Sequence, residues 1–314
     1  TLSRTAGEGG DPGLDPGEPG EGAAAPKPAG EKPTASPAVR RRAFELGIPL
    51  QFVPATGPGG RITHADLDAY VAGKGRAKPG LRRREGGEEV KLVGLRRVIA
   101  EHLQTAARHI PHFSYVEEVD VTALEELRAH LNATRPEQRL TVLPFLMRAL
   151  VMALPAFPQI NARFDEEAGV VQRHAAVHIG IATQTPAGLM VPVVFHAEAL
   201  DLWAMAAEVA RLAAAARDGK ARREELSGST ITITSLGALG GIASTPVINH
   251  PEVAIVGVNR IAERPVVRDR RVVVRQMMNL SSSFDHRIVD GSDGAAFIRR
   301  IKDLLEFPAT LFLE

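Results

Sequence analysis

The hydrophobic pattern divides the chain into two stretches that can bury a core and two that cannot. Residues 1–33 and 74–90 are mostly Gly, Pro, Ala, Lys, Arg and Glu with no apolar periodicity, and both read as solvated linkers. Residues 34–73 form a short island between them. Ser36-Pro37 opens a helix there, Val39, Ala43 and Leu46 give it an apolar stripe, and Gly47 ends it. Ile48 to Val53 and the tight loop Thr56–Ile62 follow. Thr63 and Asp66 then have the spacing of a capping box for a second helix with Leu67, Tyr70 and Val71 on its inner face. Some 40 residues is near the lower limit for a fold without disulfides or metal.

Residues 91–314 read as one continuous globular segment, ample for a single core. Leu95, Val98, Ile99, Leu103 and Ala106 mark a helix, and Phe113–Val121 reads as a strand. Thr122-x-x-Glu125 has capping-box spacing for a helix carrying Leu124, Leu127 and Leu131. Leu143–Leu154 is apolar on nearly every side, as a buried helix is. Strands are expected at Val170–Val171, Val177–Thr183 and Leu189–Phe195, with a turn at Pro186-Ala187-Gly188. An Ala-rich helix follows over Leu200–Ala216, ending near Gly219. Ser229–Thr234 alternates Ile and Thr, Val253–Val258 is a buried strand, and Arg268-Asp269-Arg270 reads as the tip of a hairpin. Met277–Phe284 is the last strand. After Asp293 and Gly294 comes an amphipathic helix with Phe297, Ile298, Ile301, Leu304 and Leu305 on one face. This mixture predicts an α+β sandwich rather than a strict βαβ series.

Composition narrows the function. The formal charge of +1 and 4% aromatic content give no case for a nucleic-acid partner. The absence of cysteine excludes disulfides, thiolate-bound metals and a cysteine nucleophile, so an acyl-transfer enzyme of this sequence cannot carry the acyl group on its own thiol. No apolar run is long enough to span a bilayer, and the first residues do not resemble a signal peptide, so a cytoplasmic protein is expected.

The chemistry concentrates in Ser281-Ser282-Ser283-Phe284-Asp285-His286-Arg287-Ile288-Val289-Asp290-Gly291, where a strand breaks into a polar turn. A histidine at such a junction, beside carboxylates, can serve as a general base, or it can be a turn residue only. The three serines lack a Gly-x-Ser-x-Gly elbow and alternate like strand residues, which argues against a serine hydrolase. His109 and His112 straddle Pro111 without a third ligand and read as structural, while His174, His178, His196 and His250 have no carboxylate at useful spacing. The second informative stretch is Thr234-Ser235-Leu236-Gly237-Ala238-Leu239-Gly240-Gly241. A strand ends there in a Gly-rich loop, and Thr234 or Ser235 can present a hydroxyl to a ligand. The loop Gly57–Ile62 lacks the Lys-Ser/Thr ending of a P-loop, so phosphate binding gains little support.

Two sets of motifs resemble a known family. Ala35–Arg40, Gly47-Ile48 and Gly57–Ile62 are similar to the peripheral-subunit-binding domain of 2-oxo acid dehydrogenase complexes. His286-x-x-x-Asp290-Gly291 resembles the signature shared by dihydrolipoamide acyltransferases and chloramphenicol acetyltransferases. Arg96–Ala100, Gly188–Val193, Ile233–Gly237, Thr245–Asn249 and Pro251–Ile255 resemble the same acyltransferase core.

The resemblance implies a chloramphenicol-acetyltransferase-like mixed-sheet core over 91–314, preceded by a two-helix binding module at 34–73. It implies transfer of an acyl group, branched-chain or acetyl, between the thiol of dihydrolipoamide and coenzyme A, with no metal. It makes His286 the general base and Thr234 the oxyanion donor. Asp290 orders the turn through an ion pair, and Asp285 and Arg287 support it. Arg40, Arg41 and Arg61 fall on positions that contact the decarboxylase/dehydrogenase component or dihydrolipoamide dehydrogenase, and Phe44 stands where the family often has another basic residue. Self-association to trimers and a cubic or dodecahedral shell is also implied, with the active site at the subunit boundary. The family normally carries a lipoyl domain ahead of a linker like residues 1–33, and none is recognised in this sequence. A non-catalytic scaffold of the same complex is the alternative, and the presence of both His286 and Thr234 favours the enzyme. An antibiotic acetyltransferase has no use for residues 34–73.

Overall fold

The computed structural model describes residues 33–73 and 86–313, in two compact units divided at Glu89 and Val90. The expected linkers 1–33 and 74–90 lie mostly outside the described residues. No helix among the described residues is long and apolar enough to cross a membrane.

The first unit has helices α1 (Pro37–Glu45) and α2 (His64–Val71). Ser36 caps α1 by accepting from Val39 N at 3.3 Å, and Gly47 leaves the helix at φ +66°, a conformation glycine adopts without steric cost. Val39, Ala43, Val53, Ile62 and Leu67 make the core. Leu46 and Val71, expected inside, are exposed: each stands at the last turn of its helix, where the helix has outrun this small core. The capping box at Thr63 is formed, and Asp66 does more than close it. Its carboxylate accepts from Thr56 N (3.2 Å), Thr56 Oγ1 (2.5 Å), Thr63 N (2.8 Å) and Thr63 Oγ1 (3.0 Å), tying the loop to α2.

The second unit contains α3 (Leu95–His109), β1 (His112–Asp120), α4 (Thr122–Thr134), α5 (Val142–Ala153), β2 (Ala162–Asp165) and β3 (Val170–Arg173). Then come β4 (Ile179–Thr185), β5 (Gly188–Met190), β6 (Val193–Val194) and α6 (Leu202–Arg217). The chain closes with β7 (Ile231–Ser235), β8 (Ala254–Val258), β9 (Ala262–Arg268), β10 (Arg271–Asp285) and α7 (Gly291–Glu306). Apart from the β2–β3 hairpin, the strands form one eight-stranded mixed sheet in the order β1-β10-β8-β7-β4-β5, with β6 also on β4 and β9 also on β10. β4, β7 and β8 run parallel to one another, and the remaining pairings are antiparallel.

Strand alternation gives the sheet two different faces. Ile231, Ile233, Ala254, Val256, Met278, Leu280 and Phe284 point into the main core with α5 and α7. There Phe297, Ile298, Ile301, Leu304 and Leu305 of α7 are fully buried, each contributing about 2–3 kcal/mol. The other face carries Ile255, which packs with Ala106, Ile110 and Ile248, and the polar residues Thr232, Thr234, Ser281 and Ser283.

Several local expectations change. The span Leu189–Phe195 divides into β5 and β6, separated by Val191 and Pro192, the second of which has no N–H for a ladder. No capping box forms at Thr122, which is already the first residue of α4. Its hydroxyl instead donates to Asp120 at 2.7 Å and accepts from Gln276 N at 2.9 Å, and Glu125 binds Arg128. α7 starts at Gly291, earlier than the apolar stripe shows. The β9–β10 tip is a two-residue turn with Asp269 and Arg270 both at positive φ, the pairing that matches strand twist.

Burial pushes the Asp66 pKa up, but the hydrogen bonds from Thr56 and Thr63 outweigh it and hold it below the ordinary carboxylate value. A carboxyl lowered in the fold stabilises above its unfolded pKa, near 3.9, and that contribution is lost as pH falls through the folded value. In the full chain, hydrogen-exchange protection of α1 and α2, corrected for intrinsic rates, should therefore decline below about pH 4. Asp66→Ala should already lose about 1–3 kcal/mol of that protection at neutral pH.

Candidate active site

β10 ends at Asp285, and the turn beyond it is organised by that residue. The buried Asp285 backbone carbonyl accepts from Ile288 N at 3.0 Å and Val289 N at 2.9 Å, and its carboxylate accepts from Arg287 N at 3.0 Å. The Arg287 side chain folds back on it, with Nε at 2.9 Å from Oδ1 and Nη2 at 2.7 Å from Oδ2. His286 is thereby turned out of the strand. Its backbone N–H donates to Pro111 O at 3.1 Å, and its ring is exposed and lies 4.6 Å from that of Phe113.

The turn is also held from outside. Glu166, between β2 and β3, pairs with Arg287 through Oε1 and with His109 Nδ1 through Oε2 at 2.8 Å. Hydrogen bonds from Arg287, then His109, hold Glu166 below the usual carboxylate range. Asp285, then Glu166, keep the Arg287 guanidinium more firmly protonated than usual. Arg287 also lies 4.7 Å over the ring of Phe164. The expected ion pair at Asp290 is not formed among the described residues: Asp290 is exposed and stands at the N-cap of α7 without a side-chain capping bond. The ion-pairing task falls to Asp285, because its side chain points back along the turn while that of Asp290 points into solvent at the helix start.

Thr234 lies at the far end of β7, half-buried, in register with Ala182 of β4 and Gly257 of β8. Gly257 is required there. A Cβ would lie 2.7 Å from Ser281 O, 3.3 Å from Ser244 Oγ and 3.6 Å from Thr234 Cγ2. Of the two hydroxyls the sequence left open, that of Ser235 is engaged, accepting from Gly237 N at 3.2 Å to close the loop. Gly237 has φ +55°, as that closure needs.

The structure does not bring Thr234 and His286 together within one chain. Gly257, opposite Thr234, pairs with Ser281, and His286 lies five residues further along the chain, just past the end of β10, and two strands across. At strand spacings this is a separation of roughly 20 Å. Leu236, Leu239 and Ile242 in the loop after Thr234 are exposed.

The other histidines are mostly accounted for. His112 donates from Nδ1 to Ile110 O at 2.8 Å and accepts from Ile248 N at Nε2, so it is structural. His196 does find a carboxylate, Glu198, at 3.0 Å. No group of three metal-ligating side chains occurs among the described residues. Arg40, Arg41 and Arg61 are exposed, and Arg40 bonds the carbonyls of Pro33 and Ala35.

One buried group escaped the sequence reading. Glu252 is 2% exposed, and its Oε1 accepts from Ser229 Oγ (2.5 Å), Thr232 Oγ1 (2.9 Å) and Asn249 Nδ2 (2.7 Å), while its other oxygen has no partner. Thr232 precedes Thr234 on the same face of β7, so this cluster fixes the strand that carries the candidate hydroxyl.

Residues 84–313 match the family described as 2-oxoacid dehydrogenases acyltransferase (catalytic domain). The chain belongs to this acyltransferase family. Ahead of the catalytic domain, residues 33–68 match an e3 binding domain. The lipoamide acyltransferase component of the branched-chain alpha-keto acid dehydrogenase complex of Pseudomonas aeruginosa is 66% identical over 91% of this chain and 68% of that protein. The acetyltransferase component of the Staphylococcus aureus pyruvate dehydrogenase complex is 39% identical over 89% of this chain and 71% of that protein. Among solved structures, the dihydrolipoamide acetyltransferase of Azotobacter vinelandii superposes with a TM-score of 0.70 at 37% identity, covering 73% of this chain and 95% of that one. The cubic core of a pyruvate dehydrogenase multienzyme complex gives the same values. In the Azotobacter enzyme a serine, a histidine 52 residues later and an asparagine four residues beyond that were investigated for their role in the catalytic mechanism.

Burial raises the Glu252 pKa to about 7, against the lowering effect of its three donors. A carboxyl raised in the fold contributes fully below its unfolded value, near 4.5, and the contribution is lost as pH rises through 7. Glu252→Gln, which stays neutral, should therefore lose less stability than the wild type between about pH 5 and about pH 8.5, read as the denaturant midpoint at each pH.

Proposed function

We propose that this acyltransferase moves an acyl group between the thiol of dihydrolipoamide and coenzyme A, as the core of a 2-oxo acid dehydrogenase complex in the cytoplasm. The observation that carries this is the pairing of Thr234 and His286. They stand 52 residues apart, with Asp290 four beyond, which is the spacing of the serine, histidine and asparagine in the Azotobacter enzyme. Threonine retains the hydroxyl of serine, while aspartate keeps the shape of asparagine but replaces its N–H donors with a charged acceptor. Of the acyl groups, branched-chain is favoured over acetyl, on 66% against 39% identity to the respective relatives.

A thiol with pKa near 8.5 is mostly protonated at neutral pH and attacks poorly. His286 takes the proton from the attacking thiol as its sulfur bonds to the thioester carbonyl carbon. Negative charge then collects on the carbonyl oxygen, and the Thr234 hydroxyl donates to it. On collapse the bond to the departing sulfur breaks, and that sulfur takes the proton back from His286. Acyl group, proton and electrons all balance, and no enzyme thiol is needed, in keeping with the absence of cysteine. General-base help of this kind contributes about 10²–10⁴-fold, and one oxyanion donor about 3 kcal/mol.

The roughly 20 Å between the two residues means that one chain cannot hold both halves of this site. Two copies can, with His286 from one facing Thr234 of the next, and a trimeric unit of a larger shell supplies such pairs. The exposed Leu236, Leu239 and Ile242 beside Thr234 are the surface that a neighbouring copy would cover. Residues 33–68 would then recruit dihydrolipoamide dehydrogenase, with Arg40, Arg41 and Arg61 as candidate contacts to an acidic partner surface.

His286→Ala should lower kcat by at least ~10²-fold while assembly persists, and Thr234→Ala by a similar factor. The sharper test mixes the two inactive variants, unfolds them and lets them reassemble together. Sites pairing an intact His286 with an intact Thr234 then re-form at random, restoring about a quarter of wild-type activity. No recovery, with mixed assembly verified by mass spectrometry, would rule out the shared site.

A further inference from the structure

The binding module presents one apolar side chain that its own fold does not use. On α1, Val39 and Ala43 face the module's core, and Arg42 turns aside to pair with Asp68 of α2 at 2.6 Å. At 3.6 residues per turn, Pro37, Arg40, Arg41 and Phe44 share the opposite face. Phe44 lies at the middle of that face, between the directions of Arg40 and Arg41. It is 88% exposed and belongs to neither the module's core nor the residues packed around it.

The two flanking arginines differ in readiness. Arg40 is held by the carbonyl of Pro33 at 2.6 Å and that of Ala35 at 3.3 Å, which fixes its guanidinium toward the N-terminal end of α1. Arg41 forms no ion pair among the described residues. An exposed aromatic side chain on a helix face that also carries two arginine positions has the anatomy of a binding hot spot, an apolar centre with a charged rim. The rim selects an acidic partner surface, and the centre requires an apolar socket within it.

The geometry points to Phe44 as the anchor by which this chain docks dihydrolipoamide dehydrogenase, inserting into an apolar socket ringed by acidic side chains. This rests on the docking role proposed above for residues 33–68, and it adds an energetic division of labour. Phe44 supplies a contact insensitive to salt, and Arg40 and Arg41 supply the part that salt screens.

The test is calorimetric titration of the full-length chain with the purified dihydrolipoamide dehydrogenase of the same complex, over a series of salt concentrations. Phe44→Ala should weaken binding about 10-fold or more with the slope of log Kd against log salt unchanged. Phe44→Leu should recover most of the loss. Arg40→Ala with Arg41→Ala should flatten the slope. Because Phe44 packs on nothing in the module, its circular dichroism and melting should match the wild type. Unchanged affinity in Phe44→Ala overturns the inference, as does a loss confined to the decarboxylase component. If the wild-type chain itself does not bind the dehydrogenase, the docking role falls, and this inference with it.

Discussion

β10 is the member that sets every distance in the catalytic unit. It runs for 15 residues, pairing with β9 over its first half, with β8 over its second half and with β1 along much of its length. A strand hydrogen-bonded on both edges cannot shorten or slide, because a one-residue slip would turn Met278, Leu280 and Phe284 out of the core. His286 at its tip is therefore held at a fixed remove from Thr234. Side-chain rotation covers only a few ångströms, so the gap is a property of the sheet. The need for a second copy in the proposed chemistry follows from that stiffness.

The turn after β10 shows how a charged cluster can make a rigid mount. Asp285 is buried, and a buried carboxylate is costly unless fully paired. Here it accepts from the main chain and from the Arg287 side chain, and Glu166 binds a second edge of the same guanidinium. Two carboxylates thus share one guanidinium directly beside His286. Glu166 comes from a hairpin about 120 residues earlier, and His109 reaches it from the end of α3, so two distant segments converge on one turn.

Much of this was legible in the sequence because it is local. Ser36-Pro37, Thr63 with Asp66, the Ile-Thr alternation before Ser235 and the apolar stripe of α7 each carry their structure in a few adjacent residues, and each element is present. The motif residues His286 and Thr234 could be named for the same reason. What could not be read was anything set by tertiary partners. Thr122 has the right spacing for a capping box, yet Asp120 and Gln276 claim its hydroxyl first. Asp290 looked like the ion-pairing residue from its place in the motif, but Asp285 has the geometry. Glu252 is an ordinary acid in the sequence, and only three hydroxyl and amide donors drawn from two segments reveal it as a buried group. The separation of Thr234 from His286 depends on the β7-β8-β10 register, which no local pattern encodes.

The two activities proposed for this chain differ in how they depend on its concentration. A docking face built on one side of α1 is complete in a single copy, so its affinity per chain does not change with assembly. A site divided between Thr234 of one copy and His286 of another exists only in the associated state, and its population follows the association equilibrium. In this proposal catalysis is thermodynamically linked to assembly, while recruitment is not. A substitution that weakens the contact around Leu236, Leu239 and Ile242 would then silence the chemistry without touching either reacting side chain, and would leave docking intact.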